Sequence, residues 1–170
     1  MKFPYGIADF DKIRRQGYFY QDRTDRIAPI ENAGEQLLLL RPRRFGKSLW
    51  LSTLDNYYSI DLADQFDALF GNLAIGKNPT QRHNQYFILR WNFSKVVATG
   101  TAEQIGQALH EHINTCTYEF QARYAQWLKH PIEINPINSM VGFSYLLTAL
   151  YGTGHKLYLL IDDYDHFANE

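Results

Sequence analysis

Apolar residues form three short runs along the chain that predict buried strands. The runs are residues 36–40, which include four consecutive leucines, residues 86–93 and residues 156–162. Runs this apolar, bounded by polar residues, are typical of strands that are buried on both faces. Because helical patterns separate the runs, they predict an α/β fold with a mainly parallel sheet.

Helical patterns fill the intervals between these runs. We expect helices over residues 8–15, 24–30, 47–59, 62–70, 101–128 and 137–151. The helix over residues 101–128 has the clearest pattern, because Ile105, Leu109 and Ile113 begin a series of apolar residues at helical spacing. Thr101 and Gln104 have the spacing of a capping box at its start. Its apolar face is expected to lie in the core.

The first chemical feature is a predicted phosphate-binding loop. The string RPRRFGKS, residues 41–48, lies between the leucine run and a predicted helix. A helix N-terminus presents unpaired backbone N–H groups and a positive dipole end, which suit a phosphate. Gly46 lets the backbone approach closely, Lys47 is expected to bridge the β- and γ-phosphates, and Ser48 to coordinate Mg²⁺. The motif therefore predicts a P-loop nucleotide site.

The candidate cofactor-binding residues extend along the loop. They are Arg43, Arg44, Phe45, Gly46, Lys47, Ser48 and Leu49. Arg41 stands where the usual motif has its first glycine, so this loop must turn without that glycine's conformational freedom. Arg43 and Arg44 are expected to contact phosphate, to reach another subunit in a self-association, or to remain solvated or paired with acids.

Acidic residues end the last apolar run. In LYLLIDD, residues 157–163, Asp162 falls at the carboxyl end of a predicted strand, the edge at which open α/β sheets bind ligands. Asp162 would hold Mg²⁺ opposite Ser48, and Asp163 or Asp165 would polarise the attacking water. The alternative is that these acids begin a solvated turn. The catalytic candidates are Lys47, Asp163 and Asp165, and the metal-ligand candidates are Ser48 and Asp162.

Composition and charge narrow the remaining classes of function. The formal net charge is −1 and the chain has one cysteine. The neutral balance predicts no direct binding of nucleic acid by these residues, and the lone Cys116 favours a reducing, cytoplasmic compartment. No apolar run approaches the roughly 20 residues of a membrane span, so no membrane association is expected. Residues 1–10 lack the apolar centre of a signal peptide.

Four longer segments are distinctive. They are FPYGIADFDKIRRQGYFYQDRT, LLLLRPRRFGKSLWLSTLDNYY, FDALFGNLAIGKNPT and LYLLIDDYDHFANE. Together they resemble the bacterial AAA-ATPase-like family of predicted ATPases over essentially the whole chain. The resemblance implies that Lys47 and Ser48 bind ATP, with acids at Asp162 and Asp163. The family typically lacks the first loop glycine, usually has glutamate in place of Asp163, and often has aspartate in place of Asn92.

The resemblance also bears on the ends of the chain. The family usually continues into a C-terminal region that resembles a restriction-endonuclease-type nuclease. Because the chain stops at Glu170, soon after the acidic motif, we expect a domain truncated before its sensor strand. Near the start, Tyr20, Asp22 and Thr24 are expected either to frame the nucleotide base or to serve local packing and helix capping.

These observations predict a P-loop NTPase three-layer sandwich with a mainly parallel sheet. Residues 1–34 would form a lead-in segment and residues 35–170 the nucleotide-binding core of one domain. The expected function is binding of ATP and Mg²⁺, with hydrolysis in the full-length protein that drives or gates a partner or attached effector domain. The alternatives are a non-hydrolysing switch, or a scaffold for the nuclease-like C-terminal domain. Whether the chain is an enzyme stays open, and the residues do not exclude GTP.

Overall fold

The computed structural model describes residues 1–42 and 44–165. The chain divides into two compact units, Met1–Gln85 and Tyr86–Glu170. Helices and a small parallel sheet together make this an α/β protein, as the alternating patterns predict.

The regular elements described in the first unit are helices. They are α1 (Phe10–Arg15), α2 (Ile27–Ala33), α3 (Lys47–Tyr58), α4 (Phe66–Phe70) and α5 (Ala74–Lys77), with 3-10 turns at Thr24–Arg26 and Ile60–Gln65. Helix α1 begins two residues after the predicted start at residue 8, because Asp9 is its N-cap and accepts a hydrogen bond from Lys12 N at 3.0 Å. Its Phe10 N–H donates to Ser52 Oγ of α3 at 2.9 Å, which joins the two helices.

Aromatic rings form the core of the first unit. Phe10 stacks on Phe70 at 4.8 Å between ring centroids, and Tyr57 meets Phe70 edge-on at 5.4 Å. All three side chains are fully buried. Edge-on and offset contacts of this kind add to the stability that burial supplies. Many of the aromatic residues of the first unit therefore lie in its core.

The second unit contains the sheet. Strand β1 (Tyr86–Asn92) pairs in parallel with β2 (Lys156–Asp162), from Tyr86 opposite Lys156 to Asn92 opposite Asp162. The helices of this unit are α6 (Ala102–Arg123) and α7 (Ser139–Leu150), with a 3-10 turn at Phe93–Lys95. The two strands expected in this half of the chain, and their parallel direction, are confirmed.

Helix α6 has the predicted capping box of Thr101 and Gln104, but it ends five residues before the predicted end at 128. Its C-cap, Tyr124, is fully buried, and the Tyr124 hydroxyl accepts a hydrogen bond from Ile88 N of β1 at 3.0 Å. The Tyr124 ring also meets Phe87 edge-on at 5.1 Å. The contact with β1 therefore holds this end of the helix in place, where the apolar spacing alone favoured continuation.

The leucine run at residues 36–40 is not a strand in the described structure, so that prediction was wrong. The described sheet has two strands, β1 and β2, and neither includes this run. Leu37, Leu38 and Leu40 are 49%, 67% and 70% exposed. A strand needs a neighbour for its backbone N–H and C=O groups, and no ladder supplies one here. The three-layer sandwich therefore remains a prediction.

Candidate nucleotide site

The loop before α3 has the backbone conformation that a phosphate site requires. Gly46 is the N-cap of α3 with φ +79° and ψ +24°, a left-handed conformation that favours glycine. The carbonyl of Gly46 accepts the first helical hydrogen bond, from Trp50 N at 2.9 Å. Since no side chain in residues 1–42 and 44–165 caps this N-terminus, the N–H groups of its first turn are left available to a ligand by that part of the chain.

The rest of the loop is open to solvent. Arg44 also has a positive φ, +66°, and Phe45 is 64% exposed. Lys47, Ser48 and Leu49 are half-buried in the first turn of α3. Arg43, a cofactor-binding candidate, lies outside the described residues.

A cavity of about 330 Å³ lies beside the loop, within the first unit. Gly46, Leu49 and Trp50 line one part of it, and Phe19, Tyr20 and Ile30 of the preceding segment line another. Arg23, Arg26 and Arg41 also line the cavity, and none of its described lining residues is acidic. An uncapped helix N-terminus next to an arginine-bordered cavity suits an anionic ligand.

Tyr20 is the one of the three lead-in candidates that lines the cavity. The Tyr20 hydroxyl lies 3.4 Å from Thr53 Oγ1 of α3, and burial raises the pKa of Tyr20 above its ordinary value of 10.0. The hydroxyl therefore stays protonated and able to donate at neutral pH. No signal along the chain predicted the pairing with Thr53, which lies 33 positions away.

Asp22 and Thr24 serve packing and capping instead. The Asp22 carboxylate accepts hydrogen bonds from Thr24 N, Thr24 Oγ1 and Ala74 N at 2.7–2.8 Å. Thr24 is fully buried, and its hydroxyl accepts from Ile75 N at 3.1 Å. Burial by itself would raise the pKa of Asp22, but the hydrogen bonds from Thr24 and Ala74, together with the charge of Arg14, outweigh it and lower that pKa. These bonds hold the segment that includes Tyr20 against the start of α5.

The acidic candidates lie at the carboxyl end of β2, in the second unit. Asp162 is 4% exposed; its Oδ1 accepts from Asp163 N at 3.1 Å, and its buried Oδ2 has no hydrogen-bond partner among the described residues. Asp163 is half-buried and has φ +51°. Asp165 is also half-buried. The strand-end position of Asp162 agrees with the prediction.

Asn92 ends β1 opposite Asp162 and is held by local bonds. Its Oδ1 accepts from Ser94 N at 3.0 Å and Ser94 Oγ at 2.7 Å, so it caps the turn that follows. The Asn92 N–H donates to His112 Nε2 at 3.3 Å, which requires a neutral His112 with its proton on Nδ1. Burial, and then Lys95, lower the pKa of His112 and favour that neutral form. His112 was not among the predicted site residues.

Cys116 lies next to His112, with Sγ 3.6 Å from Nε2. Burial raises the pKa of this thiol to about 11. Because the thiolate is the reactive form, this pair does not make a nucleophile near neutral pH.

Residues 1–42 and 44–165 contain neither a cluster of metal-ligating side chains nor a membrane-spanning helix. No group of three or more His, Cys, Asp or Glu side chains is arranged to hold a metal ion. None of the helices there combines the length and apolarity needed to cross a membrane.

A family model described as "Predicted AAA-ATPase" matches residues 4–170. The chain belongs to the predicted AAA-ATPase family. The resemblance carried by the four sequence segments is thereby confirmed, and membership in this ATPase family supports ATP and nucleotide binding. The match covers both units, including the Gly46 loop and the end of β2.

A curated relative of this AAA-ATPase family member is described as an uncharacterised protein in the vnfD 5′ region of Azotobacter chroococcum mcd 1. It is 44% identical over 59 residues, which are 34% of this chain and 11% of that protein. The chain thus spans about a tenth of the length of that relative. No solved structure matches the chain.

Proposed function

We propose that this chain binds ATP with Mg²⁺ at the Gly46 loop, and that the full-length protein hydrolyses the ATP to drive or gate a partner or an attached effector domain. One observation carries the proposal. The uncapped N-terminus of α3 opens beside a cavity that arginines border and to which no described acidic residue contributes. Family membership agrees with this role.

The phosphates would lie against the first turn of α3. The N–H groups of Lys47, Ser48 and Leu49 precede the first helical hydrogen bond and are available to phosphate oxygens. The Lys47 ammonium adds a full positive charge for the β- and γ-phosphates. Arg44, exposed in the loop, is a further candidate for phosphate contact or for self-association.

The end of β2 has a carboxylate suited to Mg²⁺. A buried oxygen without a hydrogen-bond partner, such as Asp162 Oδ2, is costly unless a cation or water satisfies it. Mg²⁺ prefers oxygen ligands and takes only one or two from the protein when it binds with a nucleotide. Ser48 and Asp162 would hold the ion, directly or through water. When bound, Mg²⁺ neutralises charge on the β- and γ-phosphate oxygens.

Hydrolysis would depend on a carboxylate that orients water. Asp163 follows Asp162 directly and Asp165 is two residues further on, so each is a candidate for that role. The Asp163 side chain is one methylene shorter than the glutamate that the family usually has, which limits its reach. That shorter side chain favours the second candidate function, a nucleotide-dependent switch or a scaffold for a nuclease-like C-terminal region. Cytoplasmic localisation is also proposed.

The decisive experiment is calorimetry of Mg²⁺–ATP binding by the full-length protein and its Lys47→Ala variant. We expect the variant to lose binding, because the ammonium group that supplies a full positive charge for the β- and γ-phosphates is removed. Lys77→Ala, which removes an exposed lysine at the end of α5, is the matched control and should bind as the wild type does. Equal ATP binding by wild type and Lys47→Ala would refute the loop as the site.

Phosphate release separates the two functions. Steady release that disappears in Asp163→Asn supports the ATPase. Tight ATP binding without release by the full-length protein supports the switch.

A further inference from the structure

The cavity beside the Gly46 loop has a lining suited to a flat, apolar group. Phe19, Tyr20 and Trp50 supply aromatic rings, and Ile30 and Leu49 supply aliphatic surface. Its volume of about 330 Å³ is at the small end of ligand pockets. Rings of this kind stack on nucleobases, and every base has a face that can stack.

The position of the cavity links that flat group to phosphate. Gly46 and Leu49 belong both to the cavity lining and to the loop and first turn proposed for the phosphates. Arg23 and Arg41 are exposed lining residues, and Arg26 is paired with Asp25 at 3.2 Å. A ligand with an aromatic end and an anionic end, such as a nucleotide, fits this arrangement.

The buried polar side chains in the lining are already engaged. Thr53 is fully buried, and its hydroxyl donates to Leu49 O at 2.9 Å. The Tyr20 hydroxyl lies 3.4 Å from the same Thr53 oxygen, in position to donate to it. The only amide side chain in the described lining, Gln21, is exposed to water.

Adenine and guanine differ at their hydrogen-bonding edges. A protein separates the two strongly when a buried polar group would be left unpaired by the wrong base. Exposed groups such as Gln21 and the arginines bind water instead, so an unmatched base edge costs little there. We propose that this cavity takes the purine base of the nucleotide by stacking and apolar contact, without recognition of the base edge, so that ATP and GTP bind with similar affinity.

This inference rests on the proposed nucleotide site. It is tested by calorimetry of the full-length protein with Mg²⁺ and four probes: ATP, GTP, CTP and inorganic tripolyphosphate. We expect ATP and GTP to agree within about threefold. Tripolyphosphate, which has no base, should bind about tenfold or more weakly, and CTP, whose single ring can still stack, should bind with an affinity between those of tripolyphosphate and the purine nucleotides.

Variants of the lining residues test whether their side chains contact the base. Phe19→Ala should lower the affinities for ATP and GTP alike, by about tenfold, and leave the affinity for tripolyphosphate unchanged. Phe19→Tyr, which keeps a ring, should restore binding, and Tyr5→Ala removes a 99% exposed ring that does not line the cavity. Gln21→Leu should leave the ratio of ATP to GTP affinity unchanged, because its amide is solvated.

The outcomes distinguish the two proposals. A preference for ATP over GTP of twentyfold or more, or a preference that Gln21→Leu abolishes, would overturn the inference and leave the loop as the phosphate site. Equal affinity for ATP and tripolyphosphate would also overturn the inference and leave the loop as the phosphate site, because the base would then add nothing to binding. If neither ATP nor tripolyphosphate binds, the proposed function fails and this inference fails with it.

Discussion

Replacing Gly46 by alanine separates the cost of the loop conformation from its use in binding. A Cβ built on Gly46 meets no heavy atom of the described residues within 4 Å, so this part of the protein has room for it. The remaining cost is the left-handed φ of +79°, which for an alanine is about 1–2 kcal/mol. We therefore expect the free energy of unfolding to fall by about that amount.

Gly17 offers a matched control. Its φ is +65° and a Cβ there also meets no atom within 4 Å in the described part of the chain, but Gly17 follows α1 and is not among the cavity's described lining residues. Gly17→Ala and Gly46→Ala should therefore lower the free energy of unfolding equally in urea denaturation. Only Gly46→Ala should lower the affinity for ATP measured by calorimetry, because its methyl group keeps the phosphate away from the loop backbone. Loss of one N–H bond to a phosphate, about 1.5–3 kcal/mol, corresponds to roughly tenfold or more in affinity.

Two results would refute this reasoning. If Gly46→Ala binds ATP like Gly17→Ala, the loop backbone does not approach a phosphate closely. If Gly46→Ala is far less stable than Gly17→Ala, the added methyl group at position 46 clashes with another part of the protein, and the cost is more than that of the left-handed φ.

Three further predictions follow from hydrogen-bonded or buried groups. Tyr124→Phe removes the acceptor of the buried Ile88 N–H and should lower the free energy of unfolding in urea by about 1–3 kcal/mol, whereas Tyr118→Phe at a 59% exposed position should change it little. The pKa of Asp22 is lowered from 3.8 in the folded protein, so its charge stabilises the fold above pH 3.8. The wild type should therefore have a higher free energy of unfolding than Asp22→Asn, and this difference should fade as the pH falls through the folded-state pKa. A constant difference in free energy of unfolding down to acid pH would contradict this. Cys116, with a pKa of about 11, should react slowly with iodoacetamide at pH 8 and faster once urea unfolds the protein; equal rates would contradict its burial.

Local chemistry made much of the fold predictable. The capping box of Thr101 and Gln104 and the start of α3 after Gly46 both appear where the sequence predicts them. Each depends on hydrogen bonds and dihedral angles within one helical turn. The apolar runs that became β1 and β2 were also found, because branched and aromatic apolar residues favour strands. Burial of both faces, which the runs also predicted, does not hold for β2, since Ile161 is 39% exposed.

The leucine run at residues 36–40 shows the limit of that argument. Its composition is as strand-like as that of β2, yet no described ladder includes it. An apolar composition indicates only that a segment is suited to burial in a sheet. The presence of a neighbouring strand is a property of the whole chain.

The candidate site divides in the same way. The sequence by itself determined the Gly46-Lys47-Ser48 loop and the strand end at Asp162, since both motifs are contiguous and follow from local geometry. Only the tertiary structure decided that Tyr20 lines a cavity beside that loop, and that Asp22 and Thr24 bind the start of α5, some 50 residues away. The physical reason is that a motif needs only its neighbours along the chain, whereas a cavity and a long-range hydrogen bond need distant segments that packing brings together.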